Sequence, residues 1–221
     1  MNLVIITSVI NTINKPLSYT NTRSVFTVEQ RFNQTITSIE SVRKKIKNSY
    51  IVLVEGSQID EKYETILKKN VDHYYNVSDN IEIKNNIDSP SKLRGEVSLI
   101  FSYLSSNFFD KSLFKTISKL SGRYYIADIF IDMEEYMKHN DILYYSCNDI
   151  AMSTVFYSLN INHFDDYYNS LYHIYKNLNF YENQSIENVL YSLWLKNKNF
   201  NNIGVIGVCG NVAINNIFIL I

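Results

Sequence analysis

The sequence predicts an α/β fold, a single doubly wound and mostly parallel sheet of Rossmann-like type with a mixed C-terminal part. Three observations predict it: short continuous apolar runs at 3–9 and 50–55, helical spacing of apolar residues after each run, and turn residues between them. At 221 residues the chain can bury one sizeable core, so one domain over 1–221 is expected.

Leu3-Val-Ile-Ile-Thr-Ser-Val9 reads as a first strand buried on both faces. A polar segment, 11–26, leads to Thr27-Val-Glu-Gln30, the S/T-x-x-E/Q pattern whose side chains satisfy the free amides of a helix start. Phe32, Ile36, Ile39, Val42 and Ile46 then line one helical face, with Arg43, Lys44 and Lys45 left in water. Tyr50-Ile-Val-Leu-Val-Glu55 repeats the strand signature, Gly56-Ser57 breaks it, and Tyr63, Ile66 and Leu67 resume helical spacing.

A short strand is expected near 73–76, then a long mobile polar loop through Pro90. Ser91 can cap a helix carrying Leu93, Val97, Ile100, Phe101 and Leu104, and 113–120 returns as a fourth strand. Beyond it the pattern loosens: helices at 133–139, 161–178 and 185–195, strands near Ile142 and Met152, and closing strands at 203–208 and 212–220. The final run, 217–221, has no polar tail, which leaves a truncated or frame-shifted product open.

A net charge of −1 gives no electrostatic reason to expect nucleic acid or a membrane surface as partner. No apolar run approaches the ~18 residues of a membrane span, and the N-terminal run lacks a basic leader, so a cytoplasmic protein is expected. Cys147 and Cys209 have no C-x-x-C pairing and read as core thiols. The four histidines lack metal-ligand spacing. G-x-G-x-x-G, G-x-x-x-x-G-K-[ST] and G-x-S-x-G are all missing, which demotes NAD enzymes, P-loop kinases and serine hydrolases.

Ligands of doubly wound sheets bind beyond the carboxyl ends of the strands. That rule selects Thr7 and Ser8 after the first strand, Glu55 and Ser57 after the second, and Gly122 and Arg123 after the fourth. Glu55 can accept hydrogen bonds from a ribose or a base; the alternative is a solvated strand-end carboxylate. Arg23, Arg31, Arg94 and Arg123 all lie beside a strand end or helix start, where guanidinium forks suit diphosphate oxygens. Lys92-Leu-Arg-Gly-Glu96 opens a helix that can face the same crevice, with Glu96 either in the site or stabilising the helix dipole. Glu187 opens a later amphipathic helix and is a candidate general base, against the plainer reading of a helix N-terminal charge; Asp128 and Asp149 are weaker candidates.

Arg23-Ser-Val-Phe-Thr27, Glu29-Gln-Arg-Phe-Asn-Gln-Thr35, Ile39-Glu-Ser-Val-Arg43, Val54-Glu-Gly-Ser57, Ser91-Lys-Leu-Arg-Gly-Glu96, Lys119-Leu-Ser-Gly-Arg-Tyr124 and Ser185-Ile-Glu-Asn-Val-Leu190 form a spaced set. Over nearly the whole chain it resembles a small glycosyltransferase-like family of large DNA viruses and surface-glycan gene clusters. The resemblance implies a GT-A type fold that moves a sugar from a nucleotide-sugar donor to a hydroxyl on a glycan or glycoprotein. It implies a nucleotide-binding half, 1–124, and an acceptor-side half, 125–221.

Metal-using relatives of that fold carry D-x-D where this chain has Gly122-Arg123-Tyr124, so no Mn²⁺ or Mg²⁺ cofactor is expected. Arg123 would offset charge on the leaving diphosphate in place of a cation, with Gly122 allowing close approach of the donor. Thr7, Ser8, Arg23, Glu55, Ser57, Arg94 and Glu96 complete the expected donor site. The competing expectation is a non-catalytic accessory protein that binds a nucleotide or glycan without turning it over.

Overall fold

A computed structural model describes residues 1–148, 150–196 and 204–221. Its centre is a six-stranded sheet in which β1 (Asn2–Ser8), β2 (Ser49–Glu55), β3 (His73–Asn76) and β4 (Thr116–Ser121) run parallel. Two antiparallel strands, β6 (Ile142–Asn148) and β7 (Ala151–Asn160), extend the sheet, giving the order β3-β2-β1-β4-β7-β6. A separate three-stranded sheet joins β5 (Tyr124–Ile126), β8 (Val208–Asn211) and β9 (Phe218–Leu220).

Successive strand residues point to opposite faces, so an unbroken apolar run serves two cores. Leu3, Ile5, Val52 and Val54 pack beneath α4 (Lys92–Leu104), α6 (Phe164–Lys176) and α7 (Ile186–Leu190). Val4, Ile6, Ile51 and Leu53 meet α1 (Val28–Lys45), α2 (Glu61–Asn70) and α5 (Met133–His139) on the other side. Each such side chain removed from water contributes about 1.5–3 kcal/mol, which fixes the register of the central strands.

The start of α1 is held as its sequence suggests. Thr27 Oγ1 accepts from the Gln30 amide at 3.2 Å while Gln30 Oε1 accepts from the Thr27 amide at 2.9 Å. Helix α4 starts after Ser91, but that hydroxyl makes no capping bond.

Several expectations need correction. The polar stretch before Pro90 contains α3 (Ile81–Asp88), capped by the Asn80 side chain and burying Ile83, Asn86 and Ile87. The Ile83/Ile87 pair at helical spacing, buried against α4, outweighs the poor helix propensity of the surrounding Asn and Asp. The fourth strand begins at Thr116 because Asp110 caps a short turn, Lys111–Leu113, just before it. The helix expected from 161 begins at Phe164 after one tight turn, and α7 passes into a wide π-helical turn at Tyr191–Leu195.

The closing segments form β8 and β9 rather than two longer strands; residue 203 lies outside the described residues, as does Asp149. Cys209 is buried, but Cys147 is exposed on β6. Among the described residues no helix is long and apolar enough to cross a membrane.

Candidate functional site

A hollow of about 210 Å³ opens where the carboxyl ends of β1 and β4 face the start of α4. The order β3-β2-β1-β4 sends the chain from β1 to β2 on one side and brings β4 in on the other, so strand order reverses between β1 and β4. The loops after these two strands part at such a position, and a crevice is left between them.

Thr7 and Ser8 form part of the hollow's wall, as do Gly122 and Arg123 across from them. Gly122 also meets a packing requirement. A Cβ there would lie 3.1 Å from the Thr7 carbonyl oxygen and 3.3 Å from Ser8 Cβ, so the glycine lets the β4–β5 turn close onto β1. The Gly122 amide donates to that carbonyl at 2.9 Å, and its own carbonyl accepts from Thr35 Oγ1 at 3.1 Å.

Two guanidinium groups give the hollow its charge. Arg31, on α1, is 5% exposed; its Nε donates to the Val9 carbonyl at 2.7 Å and Nη1 to Ser24 Oγ at 3.3 Å. Burial and then the charge of Arg123 push Arg31 down to about 9. Arg123 has a buried Nε without a hydrogen-bond partner. Neither arginine is in a salt bridge among the described residues, and both face the same space. A buried guanidinium beside a half-buried one is costly without an anion and favourable with one.

The start of α4 supplies a second positive wall. Ser91 is 3% exposed and lines the hollow, yet its Oγ has no partner. With the unpaired amides of the first helical turn, that hydroxyl is placed to meet an anion. Lys92 follows; burial works against its charge, but Glu96 and Glu187 hold it well above the ordinary lysine value. Its Nζ lies 2.6 Å from Glu187 Oε1 and 3.8 Å from Glu96 Oε2.

The remaining expected residues divide. Arg23 lines the hollow but is spent on backbone: Nε donates to the Lys15 carbonyl, Nη1 to that of Ile87, and Nη2 to those of Asp88 and Ser89. It ties residues 11–26 to the end of α3, where a cation suits the helix dipole. Arg94 turns away from the hollow, bonding Asn179 and pairing with Glu182 at 3.7 Å.

Glu55 is fully buried rather than presented at the strand end, and burial raises its carboxyl above the ordinary value. Its Oε1 accepts from the amides of Ile10 at 3.0 Å and Ser57 at 2.9 Å, and from the Ser57 hydroxyl. Ser57 lines a second hollow of about 190 Å³ with Asn11, Gln58, Lys84 and Asp88; the two hollows share Val9, Thr12 and Ile87.

Glu96 lines the first hollow, whereas Glu187 sits behind Lys92 and accepts from Thr154 Oγ1 at 3.1 Å. Asp128 is exposed and paired with Lys45 at 2.7 Å. Sequence reasoning missed Lys119, a fully buried lysine on β4 that holds Glu96 at 2.5 Å. A lysine between Ile117 and Leu120 inside an expected strand was the available signal. It also missed Tyr19, which stands over the mouth of the hollow from a segment with no periodicity.

Glu96 and Glu187 are each paired with a lysine, and among the described residues no three His, Cys, Asp or Glu side chains converge.

No protein-family model matches the chain, and no curated protein matches it. Its structure is similar to that of core-mannan synthase A (CmsA/Ktr4) from Aspergillus fumigatus in its Mn/GDP form, at 9% identity over 88% of this chain and 69% of that one, TM-score 0.51. It is also similar to the mannosyltransferase Ktr4p from S. cerevisiae in complex with GDP, at 8% identity over 88% of this chain and 66% of that one, TM-score 0.52. The chain thus spans about two thirds of the length of these structures. At this identity the likeness is one of fold, and the fold is GT-A-like.

Proposed function

We propose that the chain binds a nucleotide sugar and transfers its sugar to a hydroxyl of a glycan or glycoprotein acceptor, without a divalent cation. One observation carries the reading: Arg31 and Arg123, neither in a salt bridge among the described residues, line a single hollow at the tips of parallel strands. The GT-A-like fold supports it, since proteins of similar structure are named as mannosyltransferases and one is described with GDP.

A nucleotide sugar is larger than either hollow and would span both. The nucleoside lies in the second, among Asn11, Ser57 and Gln58. The diphosphate lies between Arg31, Arg123 and the start of α4, and the sugar lies beside Thr7, Ser8 and Glu96. As the anomeric C–O bond breaks, its electron pair leaves with the diphosphate, whose growing charge meets two fixed guanidinium groups. The acceptor oxygen bonds to the anomeric carbon, and its proton is carried off with the departing diphosphate. Glu187, expected as the base, instead neutralises Lys92.

That last point favours a second reading, an accessory protein that binds a nucleotide sugar without transfer: no carboxylate free of a lysine lines the hollow among the described residues. Incubation with a panel of UDP- and GDP-sugars, with and without Mn²⁺, separates the two. Thermal stabilisation with metal-free release of diphosphate is expected. Binding without release selects the accessory reading, release only with Mn²⁺ refutes the arginine assignment, and no binding refutes both.

A further inference from the structure

Lys119 is 1% exposed, in the middle of the six-stranded sheet and on the face toward α4. Its ammonium uses all three donors, bonding Glu96 Oε1 at 2.5 Å, Ser121 Oγ at 2.7 Å and the Thr154 carbonyl. A buried ion pair is often no more stable than an apolar pair of similar volume, so packing alone gives little reason for a charge here.

What the ammonium does is fix Glu96. Burial opposes ionisation of that carboxyl, but Lys119 and then Lys92 hold it below the ordinary carboxylate range. Its second oxygen is in ion-pair range of Lys92 at 3.8 Å, the Thr154 hydroxyl also favours the ionised form, and the side chain lines the hollow.

The groups around it balance. Lys119 is matched by Glu96 and Lys92 by Glu187, Thr154 bridges to Glu187, and the Tyr19 phenol, raised by burial, stands above. The hollow's lining therefore combines two guanidinium groups, Arg31 and Arg123, with lysine–carboxylate pairs that are neutral overall and include Glu96.

We propose that Glu96 determines which sugar is accepted, taking hydrogen bonds from the hydroxyls of a neutral sugar and repelling sugars that bear a carboxylate. Lys119 is the positioning residue that keeps Glu96 ionised and aimed. The proposal rests on the nucleotide-sugar reading above. Hydroxyl groups make charge-assisted bonds to a fixed carboxylate, whereas a second carboxylate would be buried against a like charge.

The test measures affinities of the full chain for UDP, UDP-glucose and UDP-glucuronic acid, and for GDP, GDP-mannose and GDP-mannuronic acid. The wild type is expected to prefer the neutral sugar nucleotide at least tenfold over its uronic counterpart. Glu96→Gln narrows that ratio at least tenfold, partly by gaining affinity for the uronic form, while free diphosphate binding stays within twofold. Misfolding cannot produce that gain.

In Lys119→Met, Glu96 loses its ammonium and takes a proton more readily, so neutral-sugar affinity falls as pH drops from 8 to 5.5; the wild type and the Glu96→Gln/Lys119→Met double variant stay flat. If Lys119→Met does not fold, the Glu96→Gln ratio decides alone. Equal wild-type affinity for neutral and uronic sugars, or an unchanged ratio in Glu96→Gln, overturns the proposal and leaves the nucleotide reading standing. Failure of the wild type to bind any nucleotide overturns both.

Discussion

Arg31 and Glu55 grip the same peptide group from opposite ends. Arg31 Nε donates to the Val9 carbonyl at 2.7 Å, and Glu55 Oε1 accepts from the Ile10 amide at 3.0 Å, the two atoms belonging to one peptide bond. A buried cation and a buried anion are thus joined through a polarised amide, which holds the loop after β1 against the hollow. Glu55 thus shapes the loop whose Val9 lines the hollow.

Glu55→Ala strands the buried amides of Ile10 and Ser57. It is expected to cost about 1–3 kcal/mol for each, read as a lower urea midpoint with unchanged slope. Glu55→Gln keeps the acceptor and separates charge from hydrogen bonding. Because burial raises the folded-state pKa of Glu55, its favourable contribution is present below the unfolded value and is lost as pH rises through the folded one. The stability of wild type relative to Glu55→Gln should therefore fall as pH rises above about 4.5; a difference that grows in the wild type's favour with pH would contradict the raised value.

Arg123→Ala should leave folding within about 0.5 kcal/mol, since its Nε has no partner to lose. Diphosphate affinity should drop at least tenfold in titration calorimetry. Arg123→Lys should restore only part of it, because a point charge replaces a fork.

Arg23→Ala should behave in the opposite way. Three of its four carbonyl contacts tie residues 11–26 to the end of α3, the fourth staying within that segment at Lys15, and their loss is expected to cost about 1.5–3 kcal/mol. Limited proteolysis should then cut first within 11–26. A variant that kept its stability but lost nucleotide binding would return Arg23 to the role its position in the sequence suggested.

Arg94→Ala tests the residue that turned away. Mostly buried and paired with Asn179 and the half-exposed Glu182 outside the hollow, it should leave nucleotide affinity within twofold while costing about 1–3 kcal/mol of stability.

The parallel strands and α1 were legible because their signals are local and strong: unbroken apolar runs, and a capping pair at Thr27 and Gln30 that the structure forms on both sides. The hollow's place was legible too, since Thr7, Ser8, Gly122 and Arg123 follow from the rule about strand ends. Side-chain direction was not. Nothing near Arg23 or Arg94 in sequence says that one finds the end of α3 and the other finds Asn179, because those partners lie 64 to 66 and 85 residues away. Helix α3 was hidden because its support comes from α4 rather than from its own Asn-rich composition.

Val25 donates its amide to the Ala213 carbonyl at 2.7 Å, and Val212, Ala213 and Ile214 form part of the hollow's wall. A chain emerging from a ribosome would therefore hold both guanidinium groups by residue 123, yet lack an enclosure for them until some ninety residues later. Capacity to retain a small anion should then arise late in synthesis and all at once, long after the parallel strands have paired.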